Sequence, residues 1–243
     1  MLVNLTEIYD EFIERINDEK QTERYAENRE WFHASSAGMC LRKIYFESIE
    51  QVQPVSKDVD TLRLFRLGDL IHTDIQTSLE EYSKEHSTEI LIEKEIILDD
   101  LNVRGFFDVA VIEDNALYDI KSCNAWKWKL IFGRKPDPTS QENYALQLGT
   151  YGIWIERNFG QLEKLSLLYY NKNNSQVREY EFDRVIVDNA EKYWKTAKDI
   201  FENGLPPVSF GTSPVQKWEC NPKYCSFFEH CGGGIKPGLL ARS

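Results

Sequence analysis

VRGFFDVAVIEDNALYDIK, residues 103–121, is the stretch that decides the fold of this chain. Two β-type runs, residues 103–112 and 116–121, flank the turn-forming residues 113–115, so the stretch predicts two adjacent antiparallel strands. Strand side chains alternate between faces, which puts Asp119 and Lys121 on one face. Asp108 on the neighbouring strand can reach that face.

Two carboxylates and an ammonium at one strand end are costly unless a cation binds there. Hard oxygen ligands suit Mg²⁺ or Mn²⁺, which polarises a phosphoryl oxygen and acidifies a bound water, while a lysine steadies or deprotonates the nucleophile. The pattern therefore indicates phosphodiester hydrolysis. An Asp-x-Lys triplet alone is more often part of an ordinary charged surface hairpin.

Two further pairs accompany this stretch in the sequence. Gly68-x-x-x-His72 falls in an apolar helical pattern, and Gln147-x-x-x-Tyr151 falls in a later one. Gln147 and Tyr151 share a helix face and can contact a DNA backbone or orient the lysine. Each pair also has a simpler interpretation, a core histidine in the first case and a packed helix face in the second.

In this order, Gly68-x-x-x-His72, Gly105-x-x-Asp108, Asp119-x-Lys121 and Gln147-x-x-x-Tyr151 resemble the RecB-like branch of the PD-(D/E)XK nuclease superfamily. The resemblance covers residues 35–231. It implies an α/β restriction-endonuclease-like core with a mixed central sheet flanked by helices. It also implies that His72, Asp108, Asp119 and the Ile120 carbonyl bind the metal, and that Lys121 is catalytic. Gln147 and Tyr151 complete the implied catalytic set. Phe107 stands where some members carry proline.

The cysteines extend this resemblance. Cys40 precedes the core, and Cys220-x4-Cys225-x5-Cys231 follows it. One cysteine before and three after resembles the iron–sulfur nucleases, namely the CRISPR adaptation exonucleases of the Cas-four type and the AddB nuclease domain. That resemblance implies a [4Fe–4S] cluster joining the two ends of the chain, since four thiolates are the ligands such a cluster needs.

The spacing of the cysteines also leaves zinc open. Four thiolates suit tetrahedral Zn²⁺, and His230 could replace one of them. Cys123, two residues after Lys121, is interpreted as a small core residue.

A basic and aromatic segment follows the catalytic strand. No acidic residue occurs between Lys121 and Lys135, and the segment carries rings and cations that can hold a single strand by stacking and by neutralising its backbone. The alternative is that the two tryptophans cover the sheet as core residues. The DNA-binding candidates, together with Arg42 beside Cys40, are Trp126, Lys127, Trp128, Lys129, Arg134, Lys135 and Arg42.

The remaining periodicity predicts one integrated domain. Helices are expected at residues 5–30, 60–82, 140–158 and 185–202, and further strands at 93–98, 165–171 and 177–182. An N-terminal helical region, residues 1–90, supplies Cys40 and His72. A nuclease core, residues 91–204, follows, and a cysteine-rich tail, residues 205–243, closes the cluster.

The composition narrows the class of protein. A net charge of −11 argues against a protein that coats DNA with a basic surface, but not against a carboxylate metal site. The N-terminal residues lack the pattern of a secretory signal, and no stretch approaches the roughly 20 apolar residues of a membrane span. These features favour a cytoplasmic protein with reduced cysteines.

The sequence thus predicts a metal-dependent DNA exonuclease that acts on single-stranded or frayed ends, with 5′→3′ polarity implied by the family. CRISPR adaptation, recombination or phage replication would supply its protein partners. Two alternatives stay open: a non-catalytic DNA-binding or accessory protein that keeps the fold, and a redox sensor in which the cluster is the working part. The oligomeric state does not follow from the sequence.

Overall fold

A computed structural model describes residues 3–26, 31–207 and 219–232. The end of the first predicted helix, residues 27–30, and much of the predicted tail, residues 208–218 and 233–243, lie outside the described residues. No helix in the described ranges is both long enough and apolar enough to cross a membrane.

The described residues form six α-helices and six strands. The helices are α1 (Leu5–Ala26), α2 (Leu41–Ser48), α3 (Val59–His86), α4 (Ala125–Phe132), α5 (Glu142–Phe159) and α6 (Val185–Glu202). The strands are β1 (Phe32–His33), β2 (Ile90–Leu98), β3 (Val103–Val111), β4 (Ala116–Cys123), β5 (Lys164–Asn171) and β6 (Val177–Phe182).

These strands build one mixed sheet, as the sequence predicts. β2, β3 and β4 are successive antiparallel neighbours, β4 pairs with β5 in parallel, and β5 pairs with β6 in antiparallel fashion. β1 adds a short parallel pairing to the start of β3. The parallel β4–β5 pair requires a crossover, and α4 and α5 supply it.

Helices α5 and α6 form the layer that covers the main core. Trp194 of α6 is fully buried, and its indole Nε1 donates to Oγ1 of Thr150 on α5 at 2.8 Å. The two helices approach closely at Gly149 and Gly152, where an added Cβ would lie 2.2 Å from the Ile186 carbonyl oxygen and 2.8 Å from a Val187 methyl, respectively. Glycine is needed here because no side chain fits between the helices.

Helix α1 packs less completely than its apolar spacing suggests. Ile13 is buried, whereas Leu5, Ile8 and Phe12 are exposed. The reason is that α1 packs chiefly against α3, so only a narrow strip of its surface is covered.

Helix α4 is an addition to the elements predicted from the sequence. Its N-cap is Asn124, whose side chain accepts a hydrogen bond from the Lys127 amide at 2.8 Å. This cap satisfies one of the free amides of the first turn and starts a helix directly after β4.

We expect Gly149→Ala to lower the free energy of unfolding by about 1–3 kcal/mol, because the new methyl group is forced against the backbone of α6. Chemical denaturation followed by circular dichroism measures the change. Gly68→Ala is the matched control, since a Cβ there meets only the Ser122 hydroxyl at 3.4 Å and alanine favours a helix. Equal destabilisation by the two substitutions would contradict the close α5–α6 contact.

Candidate active site

Three carboxylates occupy one row across β2, β3 and β4. The β2–β3 register, which pairs Ile92 with Val109, puts Glu93 opposite Asp108. The β3–β4 ladder stops at Val109, and its next position would pair Asp108 with Asp119. Side chains directly opposite each other in neighbouring strands lie close together. The sheet therefore concentrates negative charge along this row.

Glu93 interrupts the regular alternation of β2. Its φ of 49° lies in the left-handed region, which non-glycine residues rarely adopt. Ile96 and Leu98 belong to the core on one side of it, but Leu91 packs against the core on the other, so the alternation shifts by one residue. Such strain costs about 1–3 kcal/mol and is concentrated at functional sites.

Strands β3 and β4 separate where Asp108 and Asp119 face each other. β4 continues beside β5 as far as Cys123, without further pairing to β3. Oδ2 of Asp108 accepts a hydrogen bond from the Ile120 amide at 2.6 Å in the resulting gap. The Asp108 side chain, and not the backbone of β3, therefore accepts the hydrogen bond from this amide.

Helix α3 brings an imidazole and a side-chain amide to the carboxylates of Asp108 and Glu93. Nδ1 of His72 lies 3.6 Å from Oδ2 of Asp108. One turn later, Gln76 is buried and donates from Nε2 to Oε1 of Glu93 at 2.7 Å. One ligand atom from each of His72, Glu93 and Asp108 lies within 4.8 Å of the others, which is close enough for all three to bind one cation.

Glu93 is the residue of this group that the sequence motifs missed. The periodicity places it at the start of a strand without a role, although an acidic residue directly after the apolar residues 90–92 is a possible signal. The converse holds for Asp119, which the resemblance puts among the ligands but which is not part of the three-atom group. The Ile120 carbonyl stays a prediction as a ligand.

Asp119 instead pairs with Lys121. Asp119 is 2% exposed, and its Oδ2 lies 2.6 Å from the Lys121 ammonium. The contact is an ion pair by distance, but none of the described residues gives this oxygen a hydrogen bond of acceptable geometry. A buried carboxylate oxygen with this unused capacity can still take a metal ion or a water.

Lys121 is held from the other side by α5. Its Nζ donates to Oε1 of Gln147 at 3.1 Å, and Nε2 of Gln147 donates to the Tyr151 hydroxyl at 3.0 Å. The ammonium also lies 5.0 Å from the centre of the Tyr144 ring, a favourable cation–π distance. Gln147 thus contacts the lysine and Tyr151 contacts Gln147, whereas a catalytic role for the pair stays a prediction.

Burial and neighbouring charge shift the protonation of these groups. Burial and the nearby Asp119 raise the pKa of Asp108 well above its ordinary value. Burial lowers the pKa of Lys121, but Asp119 and Asp108 raise it by more, so the lysine stays charged. Burial and the Lys121 charge lower the pKa of His72, which leaves a neutral imidazole, the form that binds metals.

The donor set fits a divalent cation. Two carboxylates and a neutral imidazole offer hard oxygen and nitrogen ligands of the kind that bind Mg²⁺ and Mn²⁺. A cation beside Asp108 would also stabilise the ionised carboxylate that burial disfavours.

The group of His72, Glu93 and Asp108 lies at a large cleft. A space of about 940 Å³ is lined by His72 and Glu93, by α1 and α3, and by Lys57 and Ser226. Lys20, Arg66 and Lys172 add positive charge to its walls. The cleft is therefore large enough for a nucleotide-sized group. Lys57, Arg66 and Lys172 suit an anion, whereas the Lys20 ammonium lies 2.6 Å from Asp69, which also lines the cleft.

Helix α4 divides the basic and aromatic segment into exposed and inward residues. Trp126 is 69% exposed, and Lys129, Arg134 and Lys135 are exposed as well. Trp126 and Lys129 are three residues apart on the helix, so they share a face.

Lys127 and Trp128 have inward contacts instead. The Lys127 ammonium donates to the Ser140 carbonyl and lies 5.3 Å from the centre of the Tyr144 ring. Trp128 packs against Phe132 with ring centroids 4.6 Å apart. Of the two tryptophans, only Trp128 thus follows the alternative in which these rings cover the sheet.

The four predicted cluster cysteines come together around the start of α2. The Cys40 amide donates to Oε2 of Glu219, the residue before Cys220, at 3.1 Å. Cys225 lies close enough to Cys231 and Cys220 for their negative charge to raise the pKa of its thiol, although burial contributes more. None of these cysteines forms a disulfide.

Their spacing differs from that of a closed zinc site. Zinc–sulfur bonds of about 2.3 Å in a tetrahedron put the sulfurs about 3.8 Å apart. Among the described residues, no three of these sulfurs lie within 4.8 Å of one another. Nε2 of His230 contacts Oε2 of Glu50 at 3.1 Å. In number and type of ligand, four thiolates suit an iron–sulfur cluster and zinc alike.

Two other sequence predictions have clear positions in the fold. Cys123 is buried in the core, as expected. Arg42, predicted to contact DNA, directs its guanidinium to the Sγ of Cys231 and to the Pro206 carbonyl.

Comparisons with known proteins agree with this fold. No protein-family model matches the chain, and a search of curated proteins finds no significant match. Among solved structures, SSO0001 superposes with a TM-score of 0.57 at 17% identity, over 94% of this chain and 98% of that one.

A candidate exonuclease from Eubacterium rectale superposes with a TM-score of 0.57 at 13% identity, over 90% of this chain and 96% of that chain. An alkaline exonuclease from Laribacter hongkongensis gives a TM-score of 0.49 at 15% identity, over 76% of this chain and 94% of that one. The chain therefore has the α/β fold of the first two structures, with a mixed central sheet flanked by helices.

Proposed function

We propose that this protein is a metal-dependent deoxyribonuclease that trims single-stranded or frayed DNA ends. The observation that carries the proposal is the close group of His72, Glu93 and Asp108 beside the buried pair of Asp119 and Lys121. The likeness of fold to a candidate exonuclease supports it.

Each residue has a defined role in this proposal. His72, Glu93 and Asp108 hold Mg²⁺ or Mn²⁺, and Asp119 and the Ile120 carbonyl are further candidate ligands. When bound, the metal supplies Lewis acidity toward the phosphate and lowers the pKa of a water. Lys121, which stays charged beside Asp119 and Asp108, holds the attacking water and stabilises negative charge on the phosphate, and Gln147, itself bonded to Tyr151, keeps the lysine in position.

The substrate follows from the surfaces around the site. Phosphate groups fit the cationic walls of the cleft, and the exposed Trp126 offers a ring for base stacking. Stacking requires unpaired bases, so single-stranded or frayed ends are the preferred substrate. Lys129, Arg134 and Lys135 would neutralise the backbone.

We further propose that Cys40, Cys220, Cys225 and Cys231 bind a structural [4Fe–4S] cluster that joins the start of α2 to the C-terminal segment within one integrated domain. The convergence of four cysteines without disulfides supports this assignment. Zinc at the same thiolates is the alternative, and metal analysis of the purified protein separates the two.

The central experiment concerns Lys121. We expect Lys121→Met to lower cleavage of end-labelled DNA in Mg²⁺ or Mn²⁺ by about 10²–10⁴-fold, because a group that moves or holds a proton is lost. Single- and double-stranded substrates labelled at either end also report strand preference and polarity.

DNA binding should persist in Lys121→Met, measured by fluorescence anisotropy in Ca²⁺. Lys195→Met is the control, since that ammonium pairs with Glu191 on the surface of α6. Parent-like cleavage by Lys121→Met, or parent cleavage that survives EDTA, would rule out the proposed chemistry. Binding without any cleavage by the parent would favour the accessory protein.

The metal site predicts an unusual stability change for Asp108→Asn. The folded-state pKa of Asp108 is raised, so its contribution to stability is full below the unfolded pKa of about 4 and is lost as the pH rises through the folded value. In EDTA at pH 7–8, the Asp108→Asn variant, whose amide is neutral, should therefore melt higher than the parent, by about 2–4 °C for each kcal/mol gained.

The order should reverse when metal is added. Mn²⁺ or Mg²⁺ should raise the melting temperature of the parent as the concentration increases, but not that of Asp108→Asn. Asp114→Asn, a substitution in the turn between β3 and β4, is the control. A parent melting temperature that ignores both metals, with a variant less stable in EDTA, would argue against the site.

Trp126 tests the stacking surface. We expect Trp126→Ala to weaken binding of single-stranded DNA by about 5- to 150-fold, the equivalent of one stacked base, with little effect on folding because the ring is exposed. Tyr82→Ala, which removes a ring stacked on His86 near the end of α3, is the control. Unchanged affinity in Trp126→Ala would remove α4 from the DNA interface.

A further inference from the structure

Arg42 has an unusual set of partners for a residue beside a cysteine cluster. Its Nε donates to the Sγ of Cys231 at 3.2 Å, and its Nη1 donates to the Pro206 carbonyl at 2.8 Å. The guanidinium also lies 5.6 Å from the centre of the Phe46 ring. Three contacts from different parts of the chain fix its plane and aim one N–H at sulfur.

A guanidinium aimed at sulfur favours the anionic form of that sulfur. Arginine keeps its proton at any pH a protein survives, and it can only donate hydrogen bonds. The thiolate is the form of cysteine that binds metals. The contact therefore holds the Cys231 sulfur in a fixed position with a positive charge beside it.

Cations and backbone hydrogen bonds also surround Cys225, whereas the Glu219 carboxylate lies at the Cys40 amide. The Lys57 ammonium donates to the Tyr224 carbonyl at 3.3 Å, and the Val55 amide donates to the Ser226 carbonyl at 3.1 Å. These bonds hold the backbone on both sides of Cys225. Lys43 and Lys57 add positive charge close to the Cys225 sulfur. A centre of four thiolates with an iron–sulfur core or with Zn²⁺ keeps a net negative charge, which such cations offset.

We infer that Arg42 is a positioning residue of the cysteine centre, which holds the Cys231 thiolate for metal ligation and slows loss of the metal. The inference rests on the proposed cysteine centre, but not on the nuclease activity. It differs from a DNA contact, the role that the sequence suggested for Arg42. Hydrogen bonds to ligating sulfurs and nearby charge also set the reduction potential of an iron–sulfur cluster.

The test measures metal retention in the full-length protein. Iron, acid-labile sulfide and zinc are determined after anaerobic purification of the parent, Arg42→Lys and Arg42→Gln, and metal release is followed in an excess of chelator. We expect Arg42→Gln to release metal at least about tenfold faster than the parent, the usual effect of losing a partner of a metal ligand. Arg42→Lys keeps the charge and should fall between them.

Two further measurements separate positioning from a merely structural role. Arg178→Gln removes a guanidinium of β6 that lies 4.5 Å from the centre of the Phe132 ring. This control substitution should leave metal release unchanged. If the centre contains iron, Arg42→Gln should also lower its midpoint potential, because a donor to the sulfur is lost. A general loss of stability would not shift the potential of the protein that remains folded.

Parent-like metal release and potential in Arg42→Gln would overturn the inference, as would a purified parent without metal at the cysteines. Mg²⁺-dependent cleavage, assayed on the same preparations, reports on the proposed nuclease separately. A parent that cleaves DNA without a thiolate-bound metal would keep the proposed activity and reject the role of Arg42.

Discussion

The structure depends on keeping charge inside the sheet at the point where β3 and β4 separate. Asp108 and Lys121 are withdrawn from water there, and burial alone would favour their neutral forms. The Lys121 ammonium lies 2.6 Å from Asp119, so the Asp108 carboxylate is in excess over the positive charge of this group. His72 and Glu93 complete a set of donors whose most stable state includes a cation. Burial makes the ionised Asp108 carboxylate costly, and this cost favours the binding of a positive charge beside it.

Support for this site comes from both faces of the sheet. Helix α3 supplies His72 and, through Gln76, orients Glu93, whereas α5 holds Lys121 through Gln147. The candidate metal ligands and Lys121 are therefore supported by different helices. Glu93, Asp108 and Lys121 themselves lie on neighbouring strands, so the sheet fixes their relative positions.

Much of this arrangement follows from the sequence, and the exceptions have physical causes. The strands and helices α3, α5 and α6 can be predicted because the spacing of apolar residues in each of them is regular over a sufficient length. Helix α4 was not, since alternating Trp and Lys residues carry no helical period and its start depends on the Asn124 cap. Glu93 was missed because its role arises from pairing with β3 and from a left-handed backbone. The contact of Arg42 joins residues 189 positions apart, and no local pattern encodes it.

The absence of a side chain at Gly149 has a consequence for the chemistry as well as for packing. Gly149 lies two residues after Gln147 on α5, and its contact with the Ile186 carbonyl sets how far α5 stands from α6. A rigid helix transmits such a displacement along its length, so the spacing of two helices on one face determines where the amide meets the Lys121 ammonium. The position of Gln147 and of the Lys121 ammonium thus depends on a residue that contacts neither of them, and the helical layer limits which substitutions the site tolerates.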